Sequence, residues 1–404
     1  MTVATLPSGL LMVHRHCAGA TEFCGVTAGV GSRDELTPGR YGLAHFVEHT
    51  LFKGTSRRSD SYVLNRMEAV GGELNAYTTK EETSVYSAMP AGNYRRATAL
   101  IAELVIDSQF PSRRIDRERE VICDEIDSYL DSPADGVFDL FDEMVFAGNP
   151  LAHNILGTKE SVAAIDSDVC RGFMRSHFTA DNMVYFYLGP ERPDRVFRAV
   201  GRAFEGLPAH GAPKSRVAPS LCAPCVDVQD GGAHQSHTVM GALIGGLHAP
   251  DRFDTALAIN ILGGPGMNSL LNVALRERRG LVYTVDASSA LYSDCGLMTV
   301  YFGCDHEDTA LCTRLSSNVL DSLASSRLTP RRLDACKRQF LGQVTLGGDN
   351  KEQLALSTAR AVLHGLMPPS LAVTSERINA VTPESLRDAA VRLAEAPLRR
   401  LTLK

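Results

Sequence analysis

The chain has 404 residues, of which 44% are hydrophobic and 22% charged, with a formal net charge of −6. That length exceeds what one compact core accommodates and suggests two or three domains, while the charge balance, with no Lys/Arg run interleaved with aromatics, offers no grip on nucleic acid. No stretch approaches the length of apolar sequence that a membrane-spanning helix needs, and the N-terminal MTVATLPSGLLMVHRH lacks a basic region ahead of its short apolar run, so a cytoplasmic protein with no membrane partner is expected.

The charge is uneven along the chain. Residues 1–206 hold 21 Lys/Arg against 29 Asp/Glu, whereas residues 207–404 hold 20 against 18. Much of the acidic excess lies between residues 116 and 143, where it reads as a solvated helix face or, more sharply, as an acidic wall near a cation or a basic substrate. The ten cysteines show no regular framework, as expected in a reducing compartment. Cys222-Ala223-Pro224-Cys225 is the one tight pair, but it supplies only half of a structural zinc's ligands and no second CxxC completes it. It also lies in a Pro-rich stretch instead of at a strand-to-helix junction, so it is read as having no redox or metal role.

In chain order, strands are predicted at 10–16 and 22–30, read as a hairpin-type pair. Helical spacing follows at 41–52 and, behind the cap candidates Ser59 and Asp60, up to Val70. Strands at 73–78 and 83–89 flank the turn TKEE. Long helical patterns run over 94–107, 112–130 and 134–146, and shorter ones over 159–164 and 167–177. A strand at 183–188 and a helix at 194–204 close this half. The stretch LPAHGAPKSRVAPSLCAPC (207–225) is rich in Pro, Ala and Gly, lacks periodicity and reads as a linker. Beyond it the order recurs: strands at 226–229 and 238–244, helices at 253–262 and 268–277, strands at 283–291 and 296–303, long helices between 308 and 363, and an edge strand at 400–403. This recurrence, with a period of about 210–220 residues, predicts two similar α+β domains. They span 1–206 and 226–404, joined by the 207–225 linker, and each is a mixed or antiparallel sheet with a helix cluster packed on one side.

Within GLAHFVEHTLFKG (42–54), His45-Phe46-Val47-Glu48-His49 puts two histidines four residues apart. On a helix they share one face, with the imidazoles about 6 Å apart, and can reach a single zinc. Glu48 lies on an adjacent part of that surface, free to take a proton from a water instead of binding the metal. H-x-x-E-H is the inverzincin form of the zinc-peptidase motif. The plain alternative is a packed helix that carries two satisfied histidines, and two histidines without a third ligand do not make a catalytic site. The run IDREREVICDEIDSYLDSP (115–133) places Glu118 and Glu125 seven residues apart, on one helix face, and Glu125 follows His49 by 76 residues. Glu120 and Asp124 beside them read as solvated helix charges.

HxxEH, that spacing and the ERE-VICDEI context together resemble the M16 (pitrilysin-like, inverzincin) metallopeptidase family in its short two-domain form. The resemblance implies that His45, His49 and Glu125 are the ligands of one Zn2+ per chain. It implies further that Glu48 is the general base, and that Glu118 is an additional catalytic-site glutamate beside the ligands. In GGELNAYTTKEETSVYSAMP (71–90), Asn75 and Ala76 match positions on the family's edge strand, where a peptide adds to the sheet through main-chain hydrogen bonds. In GGPGMNSLLNVALRERRGLVYTV (263–285), Arg276 and Tyr283 match an R-x6-Y pair that contacts the bound peptide from the second domain and suits a substrate carbonyl. Taken alone they are an ordinary surface arginine and a core tyrosine. Proline interrupts the family's glycine run here, which reads GGPGMNS.

The implied molecule is a zinc metalloendopeptidase whose two domains face each other across a peptide-binding cleft. Its expected substrates are short or unfolded polypeptides, and its expected assembly is a homodimer or a heterodimer with a related non-catalytic subunit. The alternatives are a non-catalytic peptide-binding subunit and a dedicated processing peptidase for a peptide-derived cofactor or modified peptide. The pairs His14/His16 and His234/His237 have metal-compatible spacing but lack a nearby carboxylate constellation.

Overall fold

The computed structural model describes residues 1–220, 223–368 and 370–404. In chain order the first half contains β1 (Thr2–Thr5), β2 (Leu11–His16), β3 (Thr21–Ala28), α1 (Leu43–Leu51), α2 (Asp60–Glu68), β4 (Glu73–Thr78), β5 (Thr83–Pro90), α3 (Tyr94–Asp107), α4 (Ser112–Leu130), α5 (Pro133–Val145), α6 (Lys159–Ala163), α7 (Ser167–His177), β6 (Met183–Gly189) and α8 (Pro193–Ala203). The second half contains β7 (Val226–Gln229), β8 (Ser236–Ile244), α9 (Arg252–Gly263), β9 (Val282–Leu291), β10 (Gly296–Cys304), α10 (Thr309–Ser325), α11 (Pro330–Gly347), α12 (Lys351–Leu363), α13 (Leu371–Ala380), α14 (Pro383–Glu395) and β11 (Arg399–Leu403). Among the described residues no helix is long and apolar enough to cross a membrane.

The strands form two sheets, ordered β1-β2-β6-β3-β5-β4 and β7-β11-β8-β10-β9. With β1 set aside, the pairing is the same in both. A parallel pair, β2 with β6 or β7 with β11, leads into three antiparallel pairings. The sequence repeat is therefore a structural one, with β9 in the place of β4 and α9 in the chain position of α1. Two expected details differ. β2 and β3 are not a hairpin, because β6 lies between them: its run MVYFYLG is buried throughout and takes a neighbour on each edge. β11 is not an edge strand either, since it sits between β7 and β8 with Leu401 and Leu403 in the core.

The chain divides into two compact units that are each discontinuous in sequence. The first comprises Met1–Asp127, His153–Arg216 and Gly348–Pro369; the second comprises Ser128–Ala152, Val217–Gly347 and Ser370–Lys404. The contiguous division at 1–206 and 226–404 thus misplaces two helices, α5 and α12, and the reason is apolar packing. In the first unit, one face of the sheet packs Val26, Tyr185 and Tyr187 into a core with α3 and α8. The other face presents Val13, Val184, Phe186 and Leu188, which are covered by Ala355, Leu356 and Ala359 of α12. In the second unit Met240, Met298 and Phe302 pack on α9, α10 and α14, while Val239, Leu297 and Leu401 on the opposite face are covered by Val137 and Phe141 of α5. Each sheet accordingly has its helix cluster on one face and a single helix on the other.

The turn TKEE, which joins β4 to β5, is buried. Arg33 donates to Glu81 at 2.6 Å, Arg216 lies 3.4 Å from the same carboxylate, Arg360 donates to Glu82 at 2.8 Å, and His364 is 2.9 Å from Glu82. Lys80 donates to the His153 carbonyl at 2.6 Å. These contacts fix the tip of a hairpin whose outer strand, β4, is the edge of the sheet.

Candidate metal centre

Helix α1 begins at Gly42, whose φ of 89° lies in the left-handed region. A Cβ there would sit 2.4 Å from the Leu156 carbonyl oxygen, so both conformation and space require glycine. No local side chain caps the helix. The buried Glu35 carboxylate does so instead, accepting from the Gly42 amide at 2.8 Å and the Ala44 amide at 2.6 Å. A carboxylate at this end satisfies otherwise unpaired N–H groups and faces the positive pole of the helix dipole. His153 Nε2 lies 3.2 Å from Glu35, with its ring stacked on Tyr41 at 3.8 Å. Burial pushes the Glu35 carboxyl above its ordinary range, against the pull of His153 and the two amides. Sequence reading missed both Glu35 and His153. Neither is in the motif, and their partnership spans 118 residues.

On α1, His45 and His49 stand on one face with ring centroids 4.5 Å apart. On α4, Ile115, Ile122 and Ile126 are buried, which turns Glu118 and Glu125 toward α1 and leaves Glu120 and Asp124 exposed. Glu125 Oε2 is 3.7 Å from His45 Nε2 and 3.6 Å from His49 Nε2. One donor atom from each of the three residues lies within 4.8 Å of the others, the one such group of His, Cys, Asp or Glu among the described residues. These spacings are too long for hydrogen bonds between the donors. The two distances to Glu125 are close to the edges of a tetrahedron with bonds of about 2.1 Å, which are about 3.4 Å long. Two imidazole nitrogens and a carboxylate oxygen are also a zinc-type donor set. Burial, followed by the charge of His49, pulls His45 down to about 4, which keeps it in the neutral form that binds metal. The residues fit a zinc ion.

Glu48 is half-buried beside this trio. Burial raises its pKa, Glu125 pushes the same way, and Thr78 and His49 pull it down. Thr78 ends β4, the strand that carries Asn75 and Ala76 and runs alongside α1. In that strand Asn75 pairs with Tyr86 and Ala76 with Val85, leaving the other edge of β4 outside the sheet's own ladder. Glu118 stands outside the trio, with Oε2 3.5 Å from His49 Nδ1.

Arg276 and Tyr283 belong to the second unit. Arg276 lies in a π-helical stretch, Asn272–Glu277, where a regular helix is expected. Tyr283 is the second residue of β9 and is 86% exposed, so it is not a core tyrosine. Of the remaining histidines, His14 is buried with Nε2 2.8 Å from the Glu191 carbonyl oxygen, and His237 Nδ1 is 2.8 Å from the Tyr301 hydroxyl. His16 and His234 are exposed. Cys222 lies outside the described residues, and Cys225 is an exposed free thiol. A cavity of about 710 Å³ in the first unit is lined by Leu43, Phe173, His177 and Lys214 among others, and by none of the three donors.

Residues 13–159 match the family model described as Insulinase (Peptidase family M16), and residues 164–340 match that of the Peptidase M16 inactive domain. An uncharacterized zinc protease of Streptomyces coelicolor is 32% identical over 95% of this chain and 85% of its own length. One from Mycobacterium leprae is 30% identical over 95% and 86%. Among solved structures, a protease from Helicobacter pylori superposes with a TM-score of 0.91 at 19% identity, covering all of this chain and 99% of its own. A structure titled as the peptidase M16 inactive domain from Pseudomonas fluorescens gives 0.92 at 16%, covering all of this chain and 97% of its own. At such identities the two structures speak for the fold alone, while the sequence relatives and family models span most of the chain. It belongs to peptidase family M16, in the short two-domain form.

Proposed function

We infer that the protein is a zinc-dependent endopeptidase acting on short or unfolded polypeptides. The observation that carries this reading is the convergence of His45, His49 and Glu125 donors within 4.8 Å, with Glu48 beside them and not among them. His45, His49 and Glu125 hold the zinc. Bound there, zinc supplies Lewis-acid polarisation of a carbonyl and lowers the pKa of water toward neutrality. Glu48 takes the proton of the attacking water and later hands it to the leaving amine. Its raised pKa, a consequence of burial, suits a group that must both accept and return a proton near neutral pH. The substrate lies as an added strand on β4, where main-chain pairing beside Asn75 and Ala76 holds it with little regard for side chains. Arg276 and Tyr283, in the second unit, are polar groups suited to peptide carbonyls.

The test is Glu48→Gln, which keeps the shape and removes the base. Expected is zinc uptake equal to that of the unaltered chain, with hydrolysis of a quenched-fluorescence peptide library reduced by about 10²–10⁴-fold, the range for a lost general base. Native-rate cleavage by that variant overturns the mechanism. Zinc binding by the unaltered chain without turnover of any peptide favours the non-catalytic, peptide-holding alternative.

A further inference from the structure

Glu118 and Glu125 project from the same face of α4, and both meet His49. Glu118 Oε2 is 3.5 Å from Nδ1, and Glu125 Oε2 is 3.6 Å from Nε2. A glutamate is an equally competent oxygen ligand from either position. Whether the centre has three protein donors and an open place for water, or four and none, therefore depends on what else holds Glu118.

Lys53 holds it. This lysine follows the end of α1, where its own amide donates to the Thr50 carbonyl at 3.1 Å and turns the chain back. Its Nζ lies 2.7 Å from Glu118 Oε1, in a pair whose side chains are only 27% and 14% exposed. One carboxylate oxygen is thus held by an ammonium, which leaves the other facing the outer nitrogen of a ligand histidine at 3.5 Å. Short, partly shielded charge pairs of this kind hold their geometry better than solvated ones. The same support is missing on the other histidine, because His45 Nδ1 is buried without a hydrogen-bond partner among the described residues.

The geometry points to Lys53 as a positioning residue that commits Glu118 to the outer side of His49. Glu125 is then the one carboxylate donor, and a coordination position stays open. This rests on the zinc reading above. Without the ammonium, Glu118 is a shielded carboxylate with no counter-charge beside a divalent cation, and it moves in as a fourth ligand.

The experiment uses the full chain stripped of metal and titrated with Co2+, whose visible absorption reports coordination number, alongside zinc affinity from competition with a chelating dye. The variants are Lys53→Met, Lys53→Arg, Glu118→Gln and the double variant Lys53→Met/Glu118→Gln. Expected for Lys53→Met are an altered cobalt spectrum, zinc bound at least as tightly as before, and kcat lowered about 10- to 100-fold, the usual effect of losing a ligand's outer partner. KM is expected to change little. Lys53→Arg keeps the original spectrum. The double variant regains it, since a glutamine at 118 is a poor ligand. Should Lys53→Met fold badly, Lys53→Gln, which also removes the ammonium, takes its place with the same altered spectrum expected. An unaltered cobalt spectrum in Lys53→Met, or an altered one that the double variant does not reverse, overturns the assignment to Lys53. If the parent chain takes up neither cobalt nor zinc, the zinc reading itself fails and the assignment falls with it.

Discussion

His14 and His45 are both buried imidazoles, and their surroundings put them to different uses. His45 turns Nε2 toward Glu125 at 3.7 Å as one of the donor trio, while its Nδ1 is buried without a hydrogen-bond partner among the described residues. His14 stacks on Tyr187 at 5.0 Å, and its Nε2–H donates to the Glu191 carbonyl, a finished arrangement inside the sheet. Burial pulls the His14 pKa below its ordinary value, with the backbone hydrogen bond resisting. The unfolded chain therefore takes up a proton near pH 6.5 that the folded chain refuses, and the folded state loses stability as pH falls below that point. The loss ends once pH passes the lowered folded value, and one such proton contributes at most about 1.4 kcal/mol per pH unit. In the presence of a chelator, the stability difference between about pH 7.5 and 5.5 should be smaller for His14→Gln than for the parent chain. His45 titrates in both and cancels. Urea unfolding at the two pH values measures this, and an equal loss in the two proteins rules the account out.

At the level of elements, most of what is periodic in the sequence is present in the fold. Helices α3 and α4 begin and end where their patterns do, because each buries one face of a long amphipathic run, and strand β4 keeps its predicted bounds as well. The HxxEH helix is legible for the same reason, and so is the face shared by Glu118 and Glu125. What has no local trace is pairing across distance. Nothing in 11–28 announces that β6, about 160 residues later, will separate β2 from β3. The TKEE turn looks solvated until Arg33, Arg216 and Arg360 close on it. Helix α5 is recognisable as amphipathic, but its partner sheet is not the one that precedes it in sequence. Its central contact is Phe141, fully buried against β8, where a Cβ on Gly241 would lie 3.1 Å from the ring. Phe141→Ala should cost about 3–5 kcal/mol in the second unit, the price of a large emptied site that rigid strands cannot collapse to fill. Chemical denaturation followed by hydrogen exchange on β8 and β11 locates the loss, and a cost below about 1 kcal/mol would show that α5 does not anchor that face.

Across the whole molecule the two units share one topology but not one chemistry. In the second, α9 stands in the chain position of α1 and its sequence RFDTALAINILG holds no histidine and no glutamate. The charge is divided the same way, with 21 Lys/Arg against 29 Asp/Glu in residues 1–206 and 20 against 18 beyond. Asp116 and Asp127 of α4, the helix that carries Glu125, pair with Arg119 and Lys159, whereas Glu120 and Asp124 are exposed on it and add negative charge beyond the proposed ligands. A field of this kind raises the local concentration of cationic peptides and fades once salt shortens the screening length to about 3 Å at 1 M. Peptides with Arg or Lys near the scissile bond should therefore be cleaved with higher kcat/KM than their acidic counterparts, and the advantage should shrink as salt is raised. Neutralising Glu120 and Asp124 together, as Glu120→Gln/Asp124→Asn, should reduce the advantage while leaving kcat on a neutral peptide intact, because neither side chain reaches the donor trio. Cleavage profiles of a peptide library at low and high salt carry the test. If the preference is absent, or persists undiminished at high salt, the acidic face of α4 is solvation alone and selectivity must be sought in direct contacts along β4.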